Sequence, residues 1–483
     1  MHLPTIFRTV GFLLMLFSLT MFLPLLVSLI YQDGAGDSFV LSGAITFGIG
    51  AAIYLPLRRQ RKDLRTRDGF LITALFWTVL GLFGAIPLLL SEQPSLSVTD
   101  AIFESISGLT TTGATVITGL DQLPPSMLFY RQLLQWMGGI GIIVIAIAIL
   151  PMLGIGGMQL YRAETPGPVK DSKLTPRITQ TAKTLFLIYL SLTTVCAVSY
   201  WLAGMTVFNA ICHAFSTVAI GGFSTHDASM GYYADNPAIL IIACTFMIIA
   251  GINFALHFGA FRNASISQYR RDPECWFYLS YLFFASIAVS LLLYFHHYYD
   301  FSDSFLYGVF QVISITTTTG FATTDFSTWP SLLPHLLLTF AFLGGCAGST
   351  GGGIKMIRAL LLAKQGFREL QQLIHPNAVI PLKLGNRSVS NRVIVAVWSF
   401  LSVYIMTFFM LIMALMLTGL DFISAYSAVA ASLNNLGPGL GTVAAHFGDI
   451  NDVAKWILCL AMLLGRLEVF TLLVLLTPAF WRR

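Results

Sequence analysis

Four short glycine-centred segments recur along this chain, and each stands between two apolar runs long enough to cross a membrane. They read Thr110-Thr111-Thr112-Gly113-Ala114, Ala219-Ile220-Gly221-Gly222-Phe223, Thr317-Thr318-Thr319-Gly320-Phe321 and Asn435-Leu436-Gly437-Pro438-Gly439. Gly113, Gly222, Gly320 and Gly437 lie 109, 98 and 117 residues apart. Before them run Asp100–Leu109, Val207–Val218, Ser304–Thr316 and Phe422–Leu433, all shorter than the roughly 20 residues needed to span a bilayer. Aligning the glycines brings Ala101, Ala210, Gly308 and Ala425 into register. This internal repeat predicts one unit used four times: a long helix, a short re-entrant helix with its glycine segment, and a second long helix.

Charge is scarce, at 10% of 483 residues, against about 25% in a soluble domain. Lipid satisfies no backbone hydrogen bonds, so the long runs should be helices. Runs such as Ile140–Leu150 lack the alternation of a membrane β-barrel. All but three of the 27 Lys and Arg fall at the termini or in every second loop: Arg58–Arg67, Arg162–Lys183, Arg262–Arg271 and Lys355–Arg392. The positive-inside rule makes those loops and both termini cytoplasmic. The loops between carry acids such as Asp33, Asp121, Asp235, Asp303 and Asp449, which would concentrate cations at an outer mouth. The six cysteines are scattered singly and read as packing residues.

The expected fold is an all-α polytopic membrane protein with four pseudo-symmetric helix–re-entrant loop–helix repeats around a pore, plus two N-terminal spans. Residues 1–68 hold those two helices and a basic linker. Pore repeats then occupy 69–178, 179–272, 273–390 and 391–483. About ten full spans follow, two per repeat. The second helices are expected near Met127–Leu150, Ile239–Arg262, Leu332–Ala363 and Val453–Leu476.

Non-helical backbone at membrane depth is tolerated where it lines a watery cavity, and rings of carbonyl dipoles there can replace the hydration shell of a small cation. The expected ion-holding residues are Thr111, Thr112 and Gly113, then Ile220, Gly221 and Gly222, then Thr318, Thr319 and Gly320, then Asn435, Leu436 and Gly437. Threonine hydroxyls could add oxygens to the first and third segments. Gly344, Gly345, Gly348, Gly351, Gly352 and Gly353 interrupt the second helix of the third repeat. Each glycine costs a helix about 1 kcal/mol relative to alanine, so this run is expected to be a loop across the pore, serving as a gate. Arg466 lies in an apolar span near Glu468 and must face the protein interior. It would hold that loop's carbonyls or repel a cation. The alternative is a pair with Glu468. Glu104 and Asp100 read as acids near a helix N-terminus, and Arg131 and Lys455 as their neighbours' partners.

These segments resemble those of the Trk/Ktr/HKT superfamily of potassium transporters, most nearly its bacterial TrkH/TrkG branch. The likeness covers essentially the whole chain. It also rests on Gln135-Trp136-Met137-Gly138-Gly139-Ile140-Gly141, on Gly156–Glu164, on Gly344–Gly353 and on Asn434–Gly439. The resemblance implies a K⁺ pathway in a bacterial inner membrane, a homodimer, and a cytosolic TrkA-type nucleotide-binding regulatory subunit. Membrane lipids are a competing partner for the basic loops. The rival reading is a K⁺ symporter coupled to H⁺ or Na⁺. K⁺ is the transported ion, and no organic cofactor or nucleic-acid partner is expected. The sequence contains no Walker A motif and no Ser/His/Asp arrangement, so an enzyme is not expected.

Overall fold

Among the described residues, six helices are long and apolar enough to cross a membrane: Leu3–Tyr31, Gly36–Leu57, Arg67–Leu90, Lys183–Leu202, Pro273–Phe295 and Asn391–Leu417. The structure, a computed structural model, describes residues 1–59, 66–144, 178–330, 332–385 and 387–482. Gly156–Glu164, the end of the expected span Met127–Leu150, and the basic residues Arg61, Lys62, Arg65, Arg162, Lys170, Lys173 and Arg177 lie outside the described residues. The first two helices pack through Gly11 and Gly50. A Cβ on Gly11 would sit 2.9 Å from the Gly50 carbonyl oxygen, and one on Gly50 2.9 Å from that of Gly11. Such small-residue contacts let helix backbones approach closely in lipid. The other four are the first helices of the four repeats.

The second helices differ from expectation. Ile239–Arg262 was expected as one span, yet Pro237–Ala250 and Phe254–Asn263 meet at 93°. Asn253 sits at the corner and accepts the Ala255 N–H at 2.8 Å, capping the new helix. Val453–Leu476 is likewise two helices, Asp452–Arg466 and Phe470–Leu475, parted by Glu468 and Val469 at φ 54° and 55°. In the third repeat Leu332–Ala341 and Met356–Ile374 flank the glycine run. Two of the spans expected to be continuous are therefore broken, and the third repeat's second helix is interrupted at the glycine run as expected. Apolarity reports residence in the membrane, not continuity of the helix. Gly251 lies 29 residues past Gly222 and Leu467 lies 30 past Gly437, and the Gly344–Gly353 run straddles the same distance past Gly320. In these three repeats the second helix thus breaks at one sequence distance past its glycine, whereas Pro125–Val144 of the first repeat is continuous through the equivalent position.

The re-entrant helices are Val98–Leu109, Val207–Ala219, Phe301–Thr316 and Phe422–Leu433. Ser97, Thr206 and Asp421, each 16 residues before its glycine, accept N–H groups of the first turn. The third helix starts one turn earlier, after Asp300. Their C-terminal halves are buried among the long helices, whose outward faces present Leu202, Phe284 and Met410, as a surface in lipid requires.

Two cations on the acidic side are paired. Lys455 Nζ lies 2.6 Å from Asp100 Oδ1, and Arg131 Nη2 2.7 Å from Glu104 Oε1. Glu104 does not cap its helix. It sits mid-helix, fully buried, and accepts the Val116 N–H at 2.9 Å and the Thr115 hydroxyl. Removing one partner of a buried pair costs about 3–5 kcal/mol, because the other charge is stranded. Arg131→Ala should therefore lower the thermal unfolding midpoint markedly. Arg131→Ala with Glu104→Gln should recover part of the loss. Equal midpoints for the two variants would refute the pairing.

Candidate functional site

Each re-entrant helix ends in the same backbone turn. The N–H groups of Thr112, Gly221, Thr319 and Leu436 bond back to the carbonyls of Ser107, Ser216, Ser314 and Ala431 at 2.8–2.9 Å. The N–H groups of Thr111, Ile220, Thr318 and Asn435 bond three residues back. This is a Schellman ending, which demands a left-handed residue. Thr111, Ile220, Thr318 and Asn435 supply it at φ 54–66°. Three of these are β-branched, and such residues seldom adopt positive φ. The strain, about 1–3 kcal/mol per site, persists only where surrounding packing over-determines it. Here all four are fully buried.

Two residues on, Gly113, Gly222, Gly320 and Gly437 also have positive φ, 78–102°. Their neighbours close a ring. A Cβ on Gly113 would strike the carbonyl oxygen of Gly221, one on Gly222 that of Thr319, one on Gly320 that of Leu436, and one on Gly437 that of Thr112. Each glycine thus abuts the residue preceding the next repeat's glycine, in the order first, second, third, fourth, first. Eight of the twelve residues expected from sequence thus meet in the ring, and the other four are the left-handed residues that precede them along the chain. A cavity of about 470 Å³ on the acidic side is lined by all four glycines, with Asp227 and Asp325 also on its wall.

Side chains brace the ring. Gln135 Nε2 donates to Gly221 O at 2.6 Å, and its Oε1 accepts the Phe223 N–H at 3.1 Å. Asn435 Nδ2 donates to Thr112 Oγ1 at 2.9 Å, tying the fourth segment to the first. Five threonine hydroxyls are already engaged: Thr110 with Thr112, Thr317 with Thr319, each at 2.7 Å, and Thr318 Oγ1 with the Gly352 N–H. Oxygens available to a cation are therefore mainly carbonyls. Gln135→Leu would leave the Gly221 and Phe223 backbone groups without their buried partner, at about 1–3 kcal/mol. It should blur Rb⁺ over Na⁺ discrimination several-fold in flux assays. Unchanged discrimination would count against the brace.

Beneath the ring the glycine run forms a loop whose neck closes where Gly344 and Gly353, both at positive φ, come together. Thr350 Oγ1 donates to Val218 O at 3.1 Å, in the second repeat. A Cβ on Gly351 would lie 2.9 Å from Thr317 O, and one on Gly352 would strike Asn434 O. Arg466, 3% exposed, donates from Nη1 to Thr350 O at 3.1 Å and from Nη2 to Gly138 O at 2.9 Å. The loop and Arg466 together touch all four repeats. Arg466 does not pair with Glu468; that carboxylate lies 2.6 Å from Arg358 Nη2. Lys355 Nζ donates to Gly351 O at 2.8 Å, and buried Glu274 accepts the N–H groups of Ala347 and Ile357. Gln135, Gly138, Thr350 and Glu274 were not singled out from sequence as site residues. Gln135 and Gly138 fall in a family-like stretch, but nothing local announces the contact.

At the acidic rim, His226 Nδ1 lies 2.5 Å from Asp121 Oδ1. Burial works to raise the Asp121 carboxyl, but hydrogen bonds from His226 and Asp227 outweigh it and hold the group below its usual range. Among the described residues no cluster of His, Cys, Asp and Glu suits a metal ion.

The sequence model of a family described as TrkH, a cation transport protein, matches residues 35–483. The chain is 58% identical over 486 residues to the Trk system potassium uptake protein TrkH of Vibrio parahaemolyticus, covering all of both chains. It is 56% identical to the protein of that name from Escherichia coli K12, again over the whole of both, and 41% identical to TrkG of that strain, covering 99% of it. Among solved structures it is similar to the potassium transporter TrkH from Vibrio parahaemolyticus, at TM-score 0.93 and 55% identity, with both chains fully covered.

Proposed function

The chain belongs to the TrkH family of cation transport proteins, and from that premise we propose that it carries K⁺ into the cell through the ring and past the loop beneath it. The closed ring of four glycine segments carries this reading, because it is a backbone constriction at the meeting point of four repeats. Ions collect in the 470 Å³ cavity beside Asp227 and Asp325. They shed part of their water against backbone oxygens of Thr111–Gly113, Ile220–Gly222, Thr318–Gly320 and Asn435–Gly437. Below, the C-terminal ends of the re-entrant helices face the path with their partial negative charge. The loop Gly344–Gly353, held by Arg466, closes that path, and passage requires it to move. The pathway is then built from the four repeats, residues 69–178, 179–272, 273–390 and 391–483, with the two N-terminal helices of residues 1–68 beside them, in an inner membrane with both termini cytoplasmic. K⁺ is substrate, and the chemistry is passage without catalysis.

Regulation is proposed to enter from the basic side. The helix Met356–Ile374 continues directly from the loop and exposes Phe367, Leu370, Leu373 and Ile374, a surface for a cytosolic nucleotide-binding partner of TrkA type. A homodimer belongs to the same reading. A symporter driven by H⁺ or Na⁺ has less support: buried Glu104 is neutralised by Arg131 and part-exposed Glu468 by Arg358, while buried Glu274 is engaged by the N–H groups of Ala347 and Ile357. Radiolabelled Rb⁺ flux into proteoliposomes, with and without imposed pH and Na⁺ gradients, tests this. Flux independent of both gradients is expected. Flux that requires either gradient makes it a carrier, and no flux refutes transport.

A further inference from the structure

Away from the ion path, a groove of about 680 Å³ lies on the basic side between the helix Ile178–Leu202 and the segment from His257 to Tyr269. Leu187, Leu192, Ala260, Phe261, Ile266 and Tyr269 line it. Phe261 is 83% and Ile266 65% exposed, more apolar surface than a solvated groove leaves open. The polar side chains in its wall are already engaged. His257 uses Nδ1 on the Tyr269 hydroxyl and Nε2 on Ile249 O, at 2.8 and 2.9 Å. Ser191 bonds Leu187 O, and Ser265 bonds Ser267. The interior therefore offers little directional hydrogen bonding and suits a hydrocarbon chain.

The rim is cationic. Lys183 precedes the lining residue Thr184, Arg262 follows Phe261, and Arg270 and Arg271 follow Tyr269. All four are exposed, and among the described residues none lies in an ion pair. Exposed Trp276 donates its indole N–H to Arg270 O at 2.8 Å, and tryptophan concentrates where lipid meets water. Four positive charges, none paired among the described residues, therefore adjoin the groove's lining in sequence.

We propose that this groove is a binding site for an anionic phospholipid, with an acyl chain against Leu187 and Ile266 and the phosphate among Lys183, Arg262 and Arg270. A zwitterionic lipid offers the same chain without the net charge that the rim selects. Basic pockets between membrane helices hold anionic headgroups by this means.

The test is native mass spectrometry of the full-length detergent-purified protein, after exchange into mixed micelles of phosphatidylglycerol or phosphatidylcholine. Phosphatidylglycerol adducts should persist where phosphatidylcholine adducts are stripped. The triple variant Lys183→Gln, Arg262→Gln, Arg270→Gln should lose about two orders of magnitude in retention, at roughly 1 kcal/mol per basic residue. Lysine at both arginine positions, with Lys183 kept, should preserve most of the binding. Ala260→Trp, which fills the groove and leaves the charges, should also release the lipid. Melting temperatures near wild type establish that the variants are folded. Equal retention of both lipids would overturn the proposal, as would phosphatidylglycerol binding indifferent to Ala260→Trp. A crosslinker at Phe261 that joins two copies of the chain, rather than labelling lipid, would give the groove to a second protomer and overturn it too.

Discussion

Gly320→Ala is expected to abolish Rb⁺ uptake by cells that depend on this protein. Two effects combine. Gly320 has φ 84°, where an L-residue costs about 1–2 kcal/mol. The new methyl would also overlap the carbonyl oxygen of Leu436 and approach Pro438. Both neighbours are buried backbone or a rigid ring, so neither gives way cheaply. The third segment must then move outward and the ring opens. Flux should fall to background. Gly366→Ala is the control. It lies mid-helix with nothing within 4 Å of its added Cβ, and alanine there favours the helix by about 1 kcal/mol. Wild-type selectivity and flux in Gly320→Ala would remove the ring from the ion path.

Arg466→Gln should do the opposite and raise basal leak. The guanidinium bonds both Thr350 O in the loop and Gly138 O in the first repeat. A hydrogen bond to a charged group contributes about 1.5–3 kcal/mol. Losing the loop contact alone should shift a closed-to-open balance by roughly ten- to hundredfold. The substitution also removes a positive charge from beside the path, which further favours cation passage. Rb⁺ flux through the purified protein in liposomes, with no partner added, should rise accordingly. Arg466→Lys, which keeps the charge but not the planar fork, should leak less than Arg466→Gln. Leak equal to wild type in both variants would mean that Arg466 only fastens the fold. Coupling from outside runs close by, because Arg358 on the helix following the loop pairs with Glu468, two residues past Arg466.

Sequence foretells the ring and its braces unequally. The ring glycines stand out because their segments recur in register, and a backbone constriction at membrane depth tolerates few other residues. The left-handed residues two positions earlier were unreadable. Thr111, Ile220 and Thr318 have the wrong side chains for positive φ, and only the Schellman ending forces it. Glu104 looked like an acid near a helix start and proved to be half of a buried ion pair with Arg131. Its partner lies 27 residues away and becomes adjacent only when the first repeat folds back on itself. Five of the threonine hydroxyls that looked available for an ion proved to be committed to one another, to Asn435 and to the loop.

By itself the sequence determined an all-α membrane protein, four repeats, the four glycines and the site of the loop, because apolar run length, glycine placement and basic loops act locally and leave their mark residue by residue. Only the tertiary structure decided that each glycine seats against the next repeat's carbonyl and that Arg466 reaches Thr350 and Gly138 rather than Glu468. Those contacts join residues about a hundred or more positions apart. Their energies depend on close approach in three dimensions, to which neither hydropathy nor periodicity responds.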